Sequence, residues 1–160
     1  MTRRDIVQAS VEEFVTASGL TKKSKSWYQR SEETIVVVTL NRSPYGHQYF
    51  LTVGVLLRTL DADQAPKDAH CQIRTRLDRL VPAAAEHRVN DLLDLQFPME
   101  DDDRAAELLG VLRAELLPVL DASSTLDGLR SGVGSVVIRL SMVNDEAREV
   151  LSEPTGSEAN

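Results

Sequence analysis

The chain lacks the features by which membrane, exported and disulfide-stabilised proteins are recognised. None of its apolar runs approaches the ~20 residues that a helix needs to cross a bilayer. The first residues, MTRRDIVQASVEEF, carry charges where a signal peptide has an apolar segment. Cys71 is the only cysteine and therefore has no disulfide partner within the chain. We expect a reduced, cytoplasmic protein that does not associate with membranes.

The motifs of common cofactor and metal sites are also missing from the sequence. One cysteine cannot supply a cysteine-rich zinc site. The acidic runs 61–63 and 100–103 lack the glycine and the distal glutamate of a calcium loop, and acids at the start of a helix are favoured by its dipole. We therefore expect no metal and no cofactor, and we interpret Cys71 as a buried, inert thiol.

Aromatic residues are scarce, at 4% of the chain, and most of them lie close together. Residues 20–57 hold the only Trp and all three Tyr. β-Branched residues dominate 34–40, and the segments 26–30 and 48–57 on either side are interpreted as further strands. Short polar turns connect the three segments, which predicts antiparallel neighbours. We predict an antiparallel β-meander of three to four strands.

A helix is predicted before this meander. Val7, Val11 and Phe14 fall on one face at helical spacing, and such an apolar face needs a sheet to cover. The fold class is therefore α+β. We predict a single domain over residues 1–152, in which the meander packs with the N-terminal helix and several C-terminal helices, followed by a flexible tail over 153–160.

Beyond residue 60 the apolar period changes from two to about three and a half. This spacing predicts a helix over 66–82. A second helix begins in the acidic run 100–103 and ends or kinks at Pro118, whose ring removes a hydrogen bond. Residues 136–140 are interpreted as a further strand, and a helix running into 144–151 is the alternative.

The net charge of −7 is unevenly distributed along the chain. Residues 1–60 carry 8 Lys and Arg against 5 Asp and Glu, whereas residues 61–160 carry 10 against 20. The acidic part repels phosphate backbones, so we expect no nucleic-acid binding. It would attract a basic protein partner, although the same charge also keeps many proteins soluble.

Two groups of side chains are candidates for binding or chemistry. His47 lies beside Tyr45 at a turn, where it would act as a general base or a ligand contact; a surface histidine is the alternative. Arg74, Arg76 and Arg79 fall on the predicted helix 66–82. They would clamp a phosphate or carboxylate, because guanidinium groups bind both bidentately, or they form a solvated face that neighbouring acids neutralise.

Several short motifs occur in a recognisable order. A helix precedes GLTKK, then Trp27-Tyr28-x-Arg30, the turn NRSPYG, the strand YFLTVGV, and later CQIRTRL at 71–77 and LLPVL at 116–120. Together they resemble a bacterial domain-of-unknown-function family (family 4304). The resemblance implies a bacterial α+β protein with a helix at CQIRTRL. Some small α+β proteins of this kind occur beside polymorphic toxins, where they act as immunity proteins.

Two hypotheses about function follow, and the sequence does not predict the oligomeric state. The first is a protein-binding module, for example an immunity-type inhibitor of a toxin, which captures a basic partner. The second is a small-ligand-binding protein or an enzyme that uses the open face of the meander. We favour the module, and hence a protein that is not an enzyme, because no convergent catalytic set is visible. The candidate binding residues are Trp27, Tyr28, Arg42, Tyr45, His47, Tyr49 and Arg74.

Overall fold

The computed structural model describes residues 4–153, which form one six-stranded sheet within a single α+β domain. The strands follow chain order across the sheet, and each is antiparallel to its neighbours. The predicted fold class is confirmed, but the strand count of three to four was wrong. Of the predicted tail, 153–160, only Glu153 belongs to the described residues. The strands are β1 (Thr21–Lys23), β2 (Ser26–Arg30), β3 (Thr34–Arg42), β4 (Tyr49–Leu57), β5 (Ile73–Arg76) and β6 (Met142–Val143).

Helices account for most of the remaining described residues, and none of them combines the length and apolar character that crossing a bilayer requires. A π-helical turn, Leu112–Leu116, joins two of them into one continuous segment that passes through Pro118. The wider turn fits the proline, which has no N–H to donate to the preceding turn. The helices are α1 (Ile6–Ala17), α2 (Leu77–Leu80), α3 (Glu86–Leu92), α4 (Asp101–Val111), α5 (Leu117–Ala122), α6 (Leu126–Arg130), α7 (Gly132–Arg139) and α8 (Asp145–Ser152).

The centre of the sheet is the long hairpin of β3 and β4. The two strands stay in register from the Thr34–Leu57 pair to the Arg42–Tyr49 pair. Because side chains alternate along a strand, the hairpin presents two different faces. Val36 and Val38 of β3 lie in the main core together with residues of the helices, and we call their side of the sheet the helical face. The other side is the open face.

The N-terminal helix packs on the helical face as predicted. Val7, Val11 and Phe14 are buried in the main core. Asp5 accepts a hydrogen bond from the backbone N–H of Gln8, whose side chain accepts one from the backbone N–H of Asp5. This reciprocal cap satisfies donors that the start of a helix leaves unpaired, and it fixes where α1 begins.

The open face is covered only in part. The connection from β4 to β5 lies over it, and the Tyr28 hydroxyl donates to the carbonyl oxygen of Pro66 in that connection. Cys71 packs against β4 at Gly54, where an added Cβ would lie 2.8 Å from the cysteine Sγ. The remainder carries a polar row, because Ser26 pairs with Thr39, Thr39 with Thr52, and Thr52 with Arg76.

Arg104 of α4 is buried without a carboxylate partner among residues 4–153. Its guanidinium donates to the carbonyl oxygens of Asp91, Leu92, Asp94 and Phe97 at 2.6–3.0 Å. These carbonyls lie at or just after the end of α3, where the helix dipole favours a positive charge. The arginine therefore fixes the position of the α3–α4 connection.

The helix predicted over 66–82 was wrong. A short 3₁₀ turn at Asp68–His70 precedes β5, and only Leu77–Leu80 is α-helical. The apolar residues Ile73 and Leu77 fit a helical period, but they fit an alternating strand equally well. The strand is favoured over the helix because β5 pairs with the edge of β4, and the backbone groups of that edge then form hydrogen bonds. The helix that the family resemblance implied at CQIRTRL is replaced by the same strand.

The strand predicted over 136–140 was also wrong: the segment is helical, but the helix ends at Arg139 and does not run into 144–151 as the alternative proposed. Residues 132–139 form α7, in which Gly134 and Val137 are buried while Val133 and Val136 are exposed. The β-branched valines favour a strand locally, but packing of α7 against α5 and α6 overrides that preference. The sheet gains the short β6 instead, after α7 ends.

Candidate functional site

Two open clefts lie on opposite faces of the sheet. The first, which we call the Trp27 cleft, lies on the helical face between α1 and the β1–β2 turn and has a volume of about 480 Å³. It brings Trp27, Arg42 and Tyr49 together, as three of the predicted binding residues. The remaining lining residues are Arg4, Gln8, Glu12, Lys22, Ser24, Lys25, Leu40 and Asn41.

The aromatic rings of the Trp27 cleft belong to its walls. Trp27 is only 7% exposed, and the Lys22 ammonium lies 5.6 Å from its ring centre. The buried Tyr49 donates its hydroxyl hydrogen to Asp5 at 2.6 Å, and Arg42 lies over its ring. Burial, followed by the hydrogen bond to Asp5, raises the pKa of Tyr49 to about 12. Little aromatic surface is therefore available to a partner here.

His47 lies next to this cleft but is not placed to act as a base. The Arg42 guanidinium lies 2.9 Å from its Nδ1. Arginine can only donate, so Nδ1 is the acceptor and the proton of a neutral ring lies on Nε2. Tyr45, two residues earlier, is 95% exposed at the tip of the β3–β4 turn. It is the one tyrosine in the described chain that a partner could cover without any rearrangement.

The second cleft lies on the open face, at the edge formed by β5 and β6, and has a volume of about 590 Å³. We call it the arginine cleft, because guanidinium groups from three elements line it. The sheet alternation directs Arg74 and Arg76 of β5 to the open face, and α2 and α7 add Arg79 and Arg139. The other lining residues are Thr52, Asp68, Thr75, Leu140, Ser141 and Met142.

Two of these arginines are held in place by the fold. Arg76 donates to both oxygens of the buried Asp78, at 3.2 and 3.0 Å. Arg74 donates to the carbonyl oxygen of Ala69 at 3.1 Å and contacts the sulfur of Met142. Neither contact of Arg74 neutralises its charge.

The other two arginines keep their donors available. Arg79 and Arg139 are exposed and have no hydrogen bond or ion pair within residues 4–153. Among the described residues, Asp68 is the only acid that lines the cleft and Asp78 pairs with Arg76, so four arginines face two acids and the cleft is positive. It is positive in a protein whose net charge is −7.

The family comparison identifies the chain. A family model described as a domain of unknown function (DUF4304) matches residues 11–122. The chain belongs to this family. Comparisons with curated proteins and with solved structures return no match for it. Within this DUF4304 protein the matched segment contains Arg74, Arg76 and Arg79, whereas Arg139 lies beyond it.

The structure places the predicted binding residues on different faces of the sheet. Arg42 pairs with Tyr49 on the helical face, whereas Arg74 pairs with Gly54 and lies on the open face. Tyr28 is buried on the open face, where burial raises its pKa. The DUF4304 protein therefore has no single site that contains all the predicted binding residues, and their roles in binding remain predictions.

Arg139, Leu140 and Met142 were missed by the sequence analysis. They lie more than sixty positions from Arg74, and no motif connects the two segments. Arg74, Arg76 and Arg79 were predicted to form either an anion clamp or a solvated face, but on a helix that the structure does not contain. The sequence contained one signal for this cleft, the two-residue spacing of Arg74 and Arg76, which puts both side chains on one face of a strand.

Cys71 and the acidic runs offer no reactive centre. Burial, followed by the nearby charge of Asp68, raises the pKa of the Cys71 thiol to about 12, so no reactive thiolate is present at neutral pH. Among residues 4–153, no three His, Cys, Asp or Glu side chains converge in a way that could hold a metal ion.

Proposed function

We propose that this DUF4304 protein is a binding module that holds an anionic group of its ligand in the arginine cleft. The observation that carries the proposal is the convergence of four guanidinium groups on one concave surface. Arginine is the side chain best suited to bind carboxylate and phosphate oxygens, because its planar N–H groups match their geometry. Concave shape and positive charge together raise the local concentration of anions.

The cleft is partly preorganised for this role. Asp78 fixes the orientation of Arg76, and the Ala69 carbonyl does the same for Arg74. A ligand that binds these groups pays little entropy to order them. The exposed Arg79 and Arg139 would add further hydrogen bonds to the anion, because no described residue accepts from their N–H groups.

The lining supports binding rather than catalysis. Among the described residues it includes no histidine, cysteine or glutamate, and the hydroxyl of Ser141, just after α7, donates to the carbonyl oxygen of Val137 in that helix. Asp68 is the one carboxylate among the described lining residues, and it forms no hydrogen bond with a hydroxyl of the lining. We therefore propose binding, and not catalysis, as the role of this cleft.

A basic protein partner remains a separate proposal for a different surface. Asp101, Asp102 and Asp103 are exposed at the start of α4, and Asp145 and Glu146 are exposed at the start of α8. Exposed acids would speed the capture of a basic protein. An immunity-type inhibitor of a toxin would be a narrower form of this proposal, and it remains a prediction.

Calorimetric titration with inorganic pyrophosphate and with citrate, at low ionic strength, tests the anion site. We expect both anions to bind the wild type and to bind the double variant Arg79→Gln/Arg139→Gln about tenfold more weakly. Binding should also weaken with added sodium chloride, because salt screens exposed charges.

The matched control is Arg113→Gln/Arg148→Gln, which removes two exposed arginines outside the cleft. We expect this control to change the affinity less than about twofold. An equal loss in both double variants would show that the anions respond only to net charge, and the proposed site would be rejected.

A further inference from the structure

An apolar stripe runs along the outer surface of α7. Val133, Val136 and Leu140 are 47%, 38% and 40% exposed, and they lie three and four positions apart on one side of the helix. Met142, 69% exposed, continues the line onto β6. From Val133 to Leu140 the stripe extends about 10 Å.

This exposure departs from what a surface helix normally shows. The outer face of such a helix is usually polar or charged. In α7 the sequence is GVGSVVIR, and Arg139 is its only charged residue. The buried side is formed by Gly134 and Val137, so the helix is apolar on both sides. Contiguous exposed apolar residues of this kind mark interaction surfaces.

The stripe and the arginine cleft form one continuous surface. Leu140 and Met142 belong to both, and Arg139 lies on the same exposed side of α7 as the stripe. Arg74 contacts the sulfur of Met142, which brings a cation directly against the end of the stripe. The surface therefore combines an apolar line with positive charge at one end.

We infer that this surface binds an acidic amphipathic helix of a protein partner, an inference that rests on the proposed function of the arginine cleft. Apolar side chains of the partner helix, spaced three and four residues apart, would pack on Val133, Val136 and Leu140. Glutamate or aspartate side chains at the end of that helix would accept hydrogen bonds from Arg79 and Arg139. Apolar anchors at this spacing, flanked by complementary charge, are the general pattern of helix-in-groove recognition.

The shape of the surface favours a helix over a small amphiphilic anion such as a fatty acid. A fatty acid needs an enclosed channel that removes most of its chain from water. The stripe lies on the outside of α7, and the cleft beside it is open to solvent. A second helix can lie along this exposed line beside the cleft and cover it over its whole length.

The probe is a fluorescent, stapled helical peptide of about four turns, with leucines along one face and glutamates beside them. The reference peptide has the same composition in an order that breaks the leucine face. With the full chain we expect the amphipathic peptide to bind at least about tenfold more tightly than the reference. Backbone amide shifts should change at residues 132–143 and 74–79.

Two variants of exposed positions test the surface. Val136→Asp removes the centre of the stripe, and Arg139→Gln removes the neighbouring charge; each should weaken peptide binding about fivefold or more. Arg113→Gln, outside the surface, should change it less than about twofold. Thermal unfolding of each variant verifies that the fold is retained before binding is compared.

Pyrophosphate titrations of these variants and of Arg79→Gln/Arg139→Gln separate the anion-site proposal from the helix inference. If pyrophosphate binding depends on Arg79 and Arg139 but both peptides bind equally, the helix inference is wrong and the anion site stands. If neither pyrophosphate nor peptide binding depends on these arginines, both proposals fail. Preference for the amphipathic peptide that is lost in Val136→Asp and in Arg139→Gln supports the inference.

Discussion

Tyr49 connects the sheet to the start of α1 through one hydrogen bond. Its hydroxyl donates to the carboxylate of Asp5, which also caps the helix. The ring is almost completely buried, so an ionised Tyr49 would place a second negative charge beside Asp5 without water to solvate it. This is the physical cause of the raised pKa of about 12.

We predict that Tyr49→Phe lowers the free energy of unfolding by about 1.5–3 kcal/mol at neutral pH, because it removes a hydrogen bond to a charged group. The folded-state pKa of about 12 lies above the ordinary value of 10.0. The contribution of neutral Tyr49 is therefore complete below pH 10 and is lost as the pH rises towards 12. The difference between wild type and variant should narrow over this interval, which urea unfolding at a series of pH values measures.

Tyr45→Phe is the matched control, because Tyr45 is exposed and the loss of its hydroxyl should change the free energy of unfolding by less than about 0.5 kcal/mol. Tyr28 is present in all three proteins, so its own titration cancels in the comparison. A wild-type–Tyr49→Phe difference that stays constant above pH 10 would contradict the assignment.

At the scale of elements, the contact between α6 and α7 sets the position of the proposed binding surface. Gly134 of α7 lies so close to the backbone of α6 that an added Cβ would overlap the carbonyl oxygen of Gly128. Glycine at this position therefore serves close helix packing. The contact holds Arg139 and Leu140 at the edge of the arginine cleft, because they lie on the last turn of the same helix.

We predict that Gly134→Ala lowers the free energy of unfolding by about 1–2 kcal/mol, because overpacking outweighs the better helix propensity of alanine. Displacement of α7 should also weaken pyrophosphate binding. Gly110→Ala is the control: nothing lies within 4 Å of an added Cβ in α4, so this change should leave stability equal or higher. Urea unfolding midpoints of the two variants are the measurement, and a stabilised Gly134→Ala protein would refute the close contact.

At the scale of the whole molecule, the family segment and the folded unit differ. The DUF4304 match ends at residue 122. The main core continues beyond it, since Leu129, Val137 and Ala147 are buried there with residues of the sheet and α1. The strand β6 also pairs with β5 from outside the matched segment.

We predict that a protein cut after Ala122 does not unfold cooperatively, because it exposes apolar surface of the main core and the edge of β5. Thermal unfolding followed by circular dichroism compares it with the full chain. A sharp transition within about 5 °C of the full chain would show that residues up to 122 fold without the last three helices.

The parts of the fold that sequence predicts well are those with strong local patterns. The amphipathic α1 and the β-branched β3 hold enough residues for their periods to be unambiguous. The segments 73–76 (IRTR) and 136–140 (VVIRL) are short, and their local patterns suit both helix and strand. Their structures depend on long-range contacts, with β4 in the first case and with α5 and α6 in the second.

The sequence alone predicts the α+β class, the central meander, the N-terminal helix and an arginine cluster at 74–79. Each of these depends on residues that lie within a few positions of one another in the chain. The arginine cleft itself exists only in the folded chain. Arg139 and Met142 join Arg74 there because β6 pairs with β5 and α7 packs tightly on α6. The same packing leaves Val133 and Val136 of α7 exposed. Contacts between residues so distant in the chain leave no local pattern, so tertiary packing alone creates this surface.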